Sequence, residues 1–297
     1  MDQIGFHTIK VNSFTKLIRG TLFSGRLATQ DILGIFTFCF LLPLGFLYTL
    51  FFTLTNWFEI NSEKWIIRVV PLLFFALNVY LNAWKLARVG PNSPNSSLLP
   101  TMQKIGYRFC YECNLNAPPR SFHCPVCNIC ILRRDHHCSF IGCCVGHFNQ
   151  RYFVAAIFNL LPITTICLIW NIFMLIPVFT NIFDIWKIVF PHLALLIGAI
   201  SLYQFYLIAA FAFSAVAFTF NIYLIVAQIF CLLMGQTRVE YLQNIKAYDL
   251  GIWINLQEGL GNRWLLIFIS PFIKSTLRSD GHSFITKETQ QIRPKYF

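Results

Sequence analysis

"IVFPHLALLIGAISLYQFYLIAAFAFSAVAFTFNIYLIVAQIFCLLMGQT", residues 188–237, runs for fifty positions without Lys, Arg, Asp or Glu. A membrane crossing needs roughly 20 apolar residues, so the run is long enough for one helix or for two. Its parity sets the face on which everything after Thr237 lies. Three further segments, 32–58, 69–84 and 152–183, carry no charge either. The second is shorter, but Arg68 and Lys85 stand at its ends, where long side chains reach the headgroups. Each of the three reads as one crossing. Composition agrees: of 297 residues 56% are hydrophobic, 12% are charged and 32 are Phe. That is more apolar surface than a soluble domain of this size can cover. No cleavable signal peptide is expected, because the first apolar run follows 31 mostly polar residues and is too long for a signal core.

Basic residues orient the spans. Before residue 32 stand Lys10, Lys16, Arg19 and Arg26 against Asp2 and Asp31. The connector after the first span holds Glu59, Glu63 and Lys64, whereas residues 88–151 hold seven basic residues against Glu112 and Asp135. The positive-inside rule then makes the N-terminus and the 88–151 loop cytosolic. Topology and attraction to the anionic leaflet account for the net charge of +11, with no need of nucleic acid.

Eight of the eleven Cys lie between Cys110 and Cys144, on the reducing side, where metal binding or catalysis is favoured over disulfides. Cys39, Cys167 and Cys231 sit singly in apolar runs and read as small core hydrophobes. The loop contains a tandem repeat. Cys110, Cys113, His123 and Cys130 are spaced C-x2-C-x9-H-x6-C, and Cys124, Cys127, His137 and Cys144 repeat that spacing fourteen residues later. Three thiolates and one imidazole form a tetrahedral structural zinc shell, so two zinc ions are expected. Asp135, His136, Cys138 and Cys143 remain unassigned in "RRDHHCSFIGCC", residues 133–144. In the first copy, Ser121 and Phe122 stand where Asp135 and His136 stand in the second.

A spare Asp-His pair beside a spare Cys is the composition of an activated thiol. A neighbouring imidazole takes the thiol proton, and a carboxylate fixes its tautomer and stabilises the imidazolium. This makes Cys138 the nucleophile, His136 the base and Asp135 the orienting group. The alternative leaves Asp135 as a partner of a metal-bound His and Cys138 inert.

The stretch from Cys110 to Phe153 resembles the cysteine-rich domain of the DHHC protein S-acyltransferases, or palmitoyltransferases. The matching residues are Cys110, Cys113, Pro119, Arg120, His123, Cys124, Cys127, Cys130, Asp135, His136, His137, Cys138, Cys144, Gly146, Asn149 and Phe153. The resemblance implies an all-α polytopic membrane protein of four transmembrane helices. A small irregular zinc-bound domain would lie on the cytosolic side between the second and third spans. It also implies transfer of a long-chain acyl group from acyl-CoA to protein cysteines through an acyl-Cys138 intermediate, helped by His136 and Asp135. The two zinc shells of the family fall on the eight ligands above. "TRVE" (237–240) resembles the family's TTxE element, which packs near the catalytic Asp. "YDLGIWIN" (248–255) resembles a C-terminal Y-x2-G-x3-N element anchored by Asn255. The chain departs from the pattern at Phe140 (usually Trp), Cys143 (usually Asn) and Arg238 (usually Thr). "VGPNSP" (89–94) lacks the Asp of an expected Asp-Pro-Gly.

These readings divide the chain into a cytosolic N-terminal segment (1–31), helices one and two (32–87) and the cytosolic zinc domain (88–151). Helices three and four with a lumenal connector (152–234) and a cytosolic C-terminal segment (235–297) complete it. One crossing, over about 207–233, is expected in the opening run, because two would put 237–255 on the lumenal face, away from Asp135. Residues 188–205 would then form a lumenal interfacial or long tilted helix. "WLLIFISPF" (264–272) is too short to span and is expected at the interface or packed inside.

The acyl chain would lie among the helices, and the CoA phosphates near Arg133, Arg134 and Lys104. Expected partners are membrane-associated proteins with an accessible Cys and the bilayer itself. The sequon Asn95-Ser96-Ser97 would stay unmodified in the cytosol. "RPKYF" at the end offers Arg293 and Lys295 to an endoplasmic reticulum or Golgi retrieval reading. The rival from another class is a membrane-anchored zinc-binding interaction module without catalysis, which needs none of Asp135, His136 and Cys138.

Overall fold

The computed structural model describes residues 29–92, 104, 106–179 and 181–292. The basic residues before 29, the Asn95 sequon and the terminal Arg293 and Lys295 lie outside the described residues. Among the described residues four helices are long and apolar enough to cross a membrane: Asp31–Asn56, Glu63–Val89, Gln150–Val178 and Leu202–Leu233.

The first, α1 (29–56), contains two π turns, Thr37–Leu41 and Thr49–Thr53. Each opens at a Thr whose hydroxyl donates to the carbonyl four residues back, Leu33 and Gly45 respectively, a bond that competes with the backbone ladder. Helix α2 (Glu63–Val89) starts where Ser62 accepts from Trp65 N–H and stops at Gly90, whose φ of 70° suits glycine. Helix α3 (Gln150–Leu175) packs along α2 on one side and along the helix Leu202–Leu233 on the other.

The opening run contains one helix long and apolar enough to cross, Leu202–Leu233, and its start differs from the expectation. Residues 186–200 form two short helices, α4 (Trp186–Val189) and α5 (Pro191–Leu196), in place of one tilted helix. Pro191 starts a new helix because its ring cannot continue the old one, and Gly198, at φ 72°, turns the chain after α5. Helix α6 (Leu202–Leu233) then begins at a capping box in which Ser201 and Gln204 satisfy each other's backbone N–H groups.

Buried Leu50, Val69, Leu72, Val79 and Ile163 join α1, α2 and α3. Leu33, Phe40, Leu44, Leu77 and Val216 on the spanning helices stay exposed, as surface that lipid tails cover. Cys167 and Cys231 are buried as expected, whereas Cys39 is exposed on α1. Ile267 is buried against α3 while Leu265, Ile269 and Phe272 are exposed, so 264–272 lies half in the fold and half outside.

The cysteine-rich segment is more regular than expected. It comprises three two-stranded antiparallel ribbons: β1 (Arg108–Cys110) with β2 (Leu115–Ala117), β3 (Phe122–Cys124) with β4 (Ile129–Ile131), and β5 (His136–Cys138) with β6 (Cys143–Val145). After α6 the chain returns to these ribbons through α7 (Arg238–Leu242) and α8 (Ile252–Leu260), with a last short helix, α9 (Lys287–Ile292).

Candidate active site and metal centres

The repeat in the sequence is a repeat in space, with three copies rather than two. In each ribbon a Cys faces the residue five positions on: Cys110 with Leu115, Cys124 with Ile129, Cys138 with Cys143. The residue four after that Cys takes a left-handed φ in every copy: Asn114 (51°), Asn128 (53°) and Gly142 (70°). The N–H of Asn128 donates to Cys124 O at 2.7 Å, and that of Gly142 to Cys138 O at 2.8 Å. The first two turns supply Cys113 and Cys127 at the third position; the third turn has Ile141 there. Cys138 is therefore the first Cys of a metal-knuckle turn that lacks the second.

The first two knuckles supply the metal-capable sets. In each, two Cys come from a knuckle, and a His with the last Cys comes from a rung of the following ribbon, His123–Cys130 or His137–Cys144. The donor atoms of Cys110, Cys113, His123 and Cys130 lie within 4.8 Å of one another, as do those of Cys124, Cys127, His137 and Cys144. Tetrahedral zinc with Zn–S bonds of ~2.3 Å would separate two thiolates by about 3.8 Å. Cys127 Sγ and Cys144 Sγ stand 3.7 Å apart, and His137 Nδ1 lies 3.3–3.8 Å from the three sulfurs of its set. Both sets fit the ion. His137 turns Nδ1 to the sulfurs and donates from Nε2 to the Asp31 carboxylate on α1, 3.1 Å away, which fixes ring and tautomer.

Strand alternation separates the adjacent histidines. Successive side chains point to opposite faces, so His137 and Cys144 share the metal face, while His136, Cys138 and Cys143 share the other. There His136 Nδ1–H donates to Asp135 Oδ2 at 2.7 Å, and the Cys138 side chain projects from the same face of β5. Its edge meets the Phe153 ring, with centroids 4.7 Å apart.

Asp135 is buried and collects further bonds. Gln228 Nε2 donates to Oδ2 at 2.7 Å, and the backbone N–H of Arg238 donates to Oδ1 at 2.9 Å. Behind it runs a buried polar line. Arg133 Nη1 donates to Gln150 Oε1, and Gln150 Nε2 donates to Gln228 Oε1. Burial pushes the Asp135 carboxyl up, but His136 and the other donors outweigh it and hold the group below its ordinary value. For His136, burial alone would depress the imidazolium; the neighbouring Asp135 and Cys138 side chains reverse that and raise its pKa to about 9.

Cys138 opens onto an apolar cavity of about 350 Å3, walled by Phe38, Leu86, Phe140, Phe153, Phe213 and Phe220 among others. It adjoins a second, of about 540 Å3, through the shared Leu42, Leu160, Phe213 and Ala217, and that one ends near Tyr48, Tyr203 and Tyr206. Asn221 lines the first cavity, fully buried, with no partner for either amide atom among the described residues.

With this geometry the comparisons agree. A family model described as "DHHC palmitoyltransferase" matches residues 103–245. "Probable palmitoyltransferase ZDHHC24" of Homo sapiens is 35% identical over 220 residues, covering 72% of this chain and 76% of that protein. The chain belongs to the DHHC palmitoyltransferase family. The Mus musculus protein of the same name is 38% identical over 194 residues, 61% of this chain and 65% of its own length, so the match spans just under two thirds of that relative. "Palmitoyltransferase ZDHHC9" of Pongo abelii is 40% identical over 85 residues, 29% of this chain and 23% of its own.

The departures of this DHHC protein from the family pattern find physical explanations. At Arg238 the contact to Asp135 is made by the backbone, so the side chain is free to vary; it reaches Tyr223 Oη instead. Thr237 and Glu240 close a capping box that aims that N–H, and Glu240 holds Arg120 in a buried ion pair, Oε1 to Nε 2.6 Å. Asn255 donates to Leu233 O and Asp249 Oδ1 and accepts from Leu250 N–H, the anchor expected of it. Phe140 lines the cavity. One expectation fails: Arg133 is fully buried in the polar line behind Asp135, so it is closed to CoA phosphates, whereas Lys104 is exposed.

Asp31, Gln150, Gln228 and Asn221 do not stand out in the sequence. Each sits alone in an apolar or mixed stretch, and only the polar character of the last three inside a span marks them at all.

Proposed function

We propose that this protein is a protein S-acyltransferase that moves a long-chain acyl group, palmitoyl by the family resemblance, from acyl-CoA to cysteine thiols of membrane-associated proteins. The observation that carries the reading is the position of His136, which hydrogen-bonds a buried carboxylate and shares a strand face with Cys138, a thiol outside both metal-capable sets that lines an apolar cavity. A zinc-binding interaction module has no use for that arrangement.

Cys110, Cys113, His123 and Cys130 are assigned to one structural zinc, and Cys124, Cys127, His137 and Cys144 to a second. When bound, each ion cross-links a knuckle to the next ribbon. Cys138 is the nucleophile, His136 its base and Asp135 the group that orients the imidazole and stabilises its charged form. The acyl chain lies in the two adjoining cavities, where each buried CH2 contributes about 0.8 kcal/mol. The Cys138 sulfur attacks the thioester carbonyl carbon, and the CoA thiolate leaves. A substrate thiolate then attacks the Cys138 thioester and restores the enzyme thiol. Both steps exchange one thioester for another, so the site contributes positioning and a base for the Cys138 proton rather than driving force.

The C-terminal segment touches Asp135 after a single crossing by α6, which supports a cytosolic site with both termini on that face. Endoplasmic reticulum or Golgi membranes are the assigned residence. Palmitoyl-CoA mixed with the protein and no acceptor tests the proposal: one equivalent of CoA should appear in a burst, absent with Cys138→Ser. A burst of equal size from that variant refutes it.

A further inference from the structure

Acyl transfer leaves one thiol of the site unused. Cys143 belongs to neither metal-capable set and is half-buried. It is paired with Cys138 across the β5–β6 ribbon. Directly opposed residues of an antiparallel pair project from the same face, with Cα atoms about 4.5–5.5 Å apart. A disulfide spans Cα separations of about 4.4–6.8 Å. The neighbouring rung already closes to contact on the opposite face, where Cys144 Sγ stands 3.7 Å from His137 Nδ1. In the two earlier ribbons the place of Cys143 is held by Leu115 and Ile129, so an apolar side chain satisfies the turn and the thiol is surplus to folding.

We propose that Cys138 and Cys143 form a reversible disulfide when the protein meets peroxide, a modification that removes the Cys138 thiol from use. The Cys138 thiolate attacks one peroxide oxygen; the O–O bond breaks, and hydroxide leaves and takes up a proton as water. The Cys143 sulfur then attacks the sulfur of the resulting sulfenic acid. The S–O bond breaks, and the hydroxyl departs with the Cys143 proton as a second water. Two thiols lose two electrons in all, and hydrogen peroxide becomes two molecules of water. A dithiol reverses the bond by thiol–disulfide exchange. The inhibitory consequence rests on the function proposed above; the bond itself does not.

The test uses the full-length, zinc-loaded protein in detergent or nanodiscs. It is exposed to equimolar hydrogen peroxide, its free thiols are blocked with N-ethylmaleimide, and it is digested with chymotrypsin, which cuts after Phe140 between the two cysteines. Mass spectrometry should find the Cys138 and Cys143 peptides joined, with zinc retained. Palmitoyl-CoA labelling of an intact portion of the oxidised protein, taken before the maleimide and the protease, should vanish and return in full after dithiothreitol. Under excess peroxide the wild type should still recover with dithiothreitol. In Cys143→Val, which restores the apolar character of Leu115 and Ile129, and in Cys143→Ser, the Cys138 sulfenic acid has no resolving thiol. It should pass on to sulfinic acid, a loss that dithiothreitol does not repair. Absence of the joined peptides, zinc release before they form, or equal recovery by the Cys143 variants overturns the proposal. Failure of the reduced wild type to take label at all counts against the function, and the joined peptides still decide the disulfide.

Discussion

Asp31, in the first turn of α1, accepts a hydrogen bond from Nε2 of His137 across 106 residues of sequence, at 3.1 Å. The first membrane helix thereby reaches the donor set of Cys124, Cys127, His137 and Cys144. Carboxylate partners of this kind orient a ligand ring and raise its basicity, and their loss costs about 10–100-fold in metal affinity. Asp31→Ala should weaken one of two zinc ions by that factor in chelator competition, and Asp31→Asn should recover part of it. Two zinc ions held as tightly as in the wild type would count against the coupling.

One helical turn on, Gly34 sits against the loop that follows Cys138. A Cβ built there would lie 2.5 Å from Ser139 O, a backbone atom that cannot step aside cheaply. Gly34→Ala should push α1 away from the ribbon and lower acylation of Cys138, and Gly34→Val more so, while both zinc ions stay bound. Equal labelling of all three proteins would show that the approach of α1 does not matter.

Arg120 and Glu240 form a pair whose side chains are almost wholly buried, with both guanidinium contacts at 2.6 Å. Removing one partner of such a pair strands the other charge, at a cost of about 3–5 kcal/mol. Glu240→Gln should therefore lower the thermal midpoint strongly, and Arg120→Met with Glu240→Leu should lower it less than the single change. A single variant as stable as the wild type would sink this reading.

His147 gives the fold a dependence on pH. Burial, with Arg133 nearby, pushes its pKa down to about 3, and its Nε2–H donates to Ser279 O. The unfolded chain takes up this proton below about pH 6.5, the folded chain only near 3, so the unfolded state binds more protons in between. Stability from this group is full above 6.5 and falls with pH, by at most about 1.4 kcal/mol per unit. His147→Gln keeps a donor for Ser279 and should flatten the fall of thermal midpoint between pH 6.5 and 4.5. Parallel slopes for the two proteins would rule His147 out.

Some of this is legible in the order of residues. The two donor sets and the Asp135, His136, Cys138 remainder are visible because a knuckle and its ribbon are local, and local geometry dictates spacing. That the 188–237 run holds one long helix rather than two agrees with the expectation that 237–255 lies beside Asp135, and the Arg238 N–H does reach that carboxylate. What stays hidden depends on contacts between distant segments. In the sequence Asp31 is one more charge in a polar leader, and Arg133 one more cation in a basic loop. Gln150 and Gln228 acquire meaning only when α3 and α6 lie side by side behind Asp135. The third ribbon escapes a search for cysteine spacing because Ile141 breaks the pattern while Gly142 preserves the turn.

The most direct measurement is the site of the acyl adduct. The purified protein, incubated with labelled palmitoyl-CoA and mapped by mass spectrometry, should carry one hydroxylamine-sensitive group on Cys138. Cys138→Ser should lose it with both zinc ions retained. Label found on another cysteine while Cys138 remains a free thiol would contradict the account.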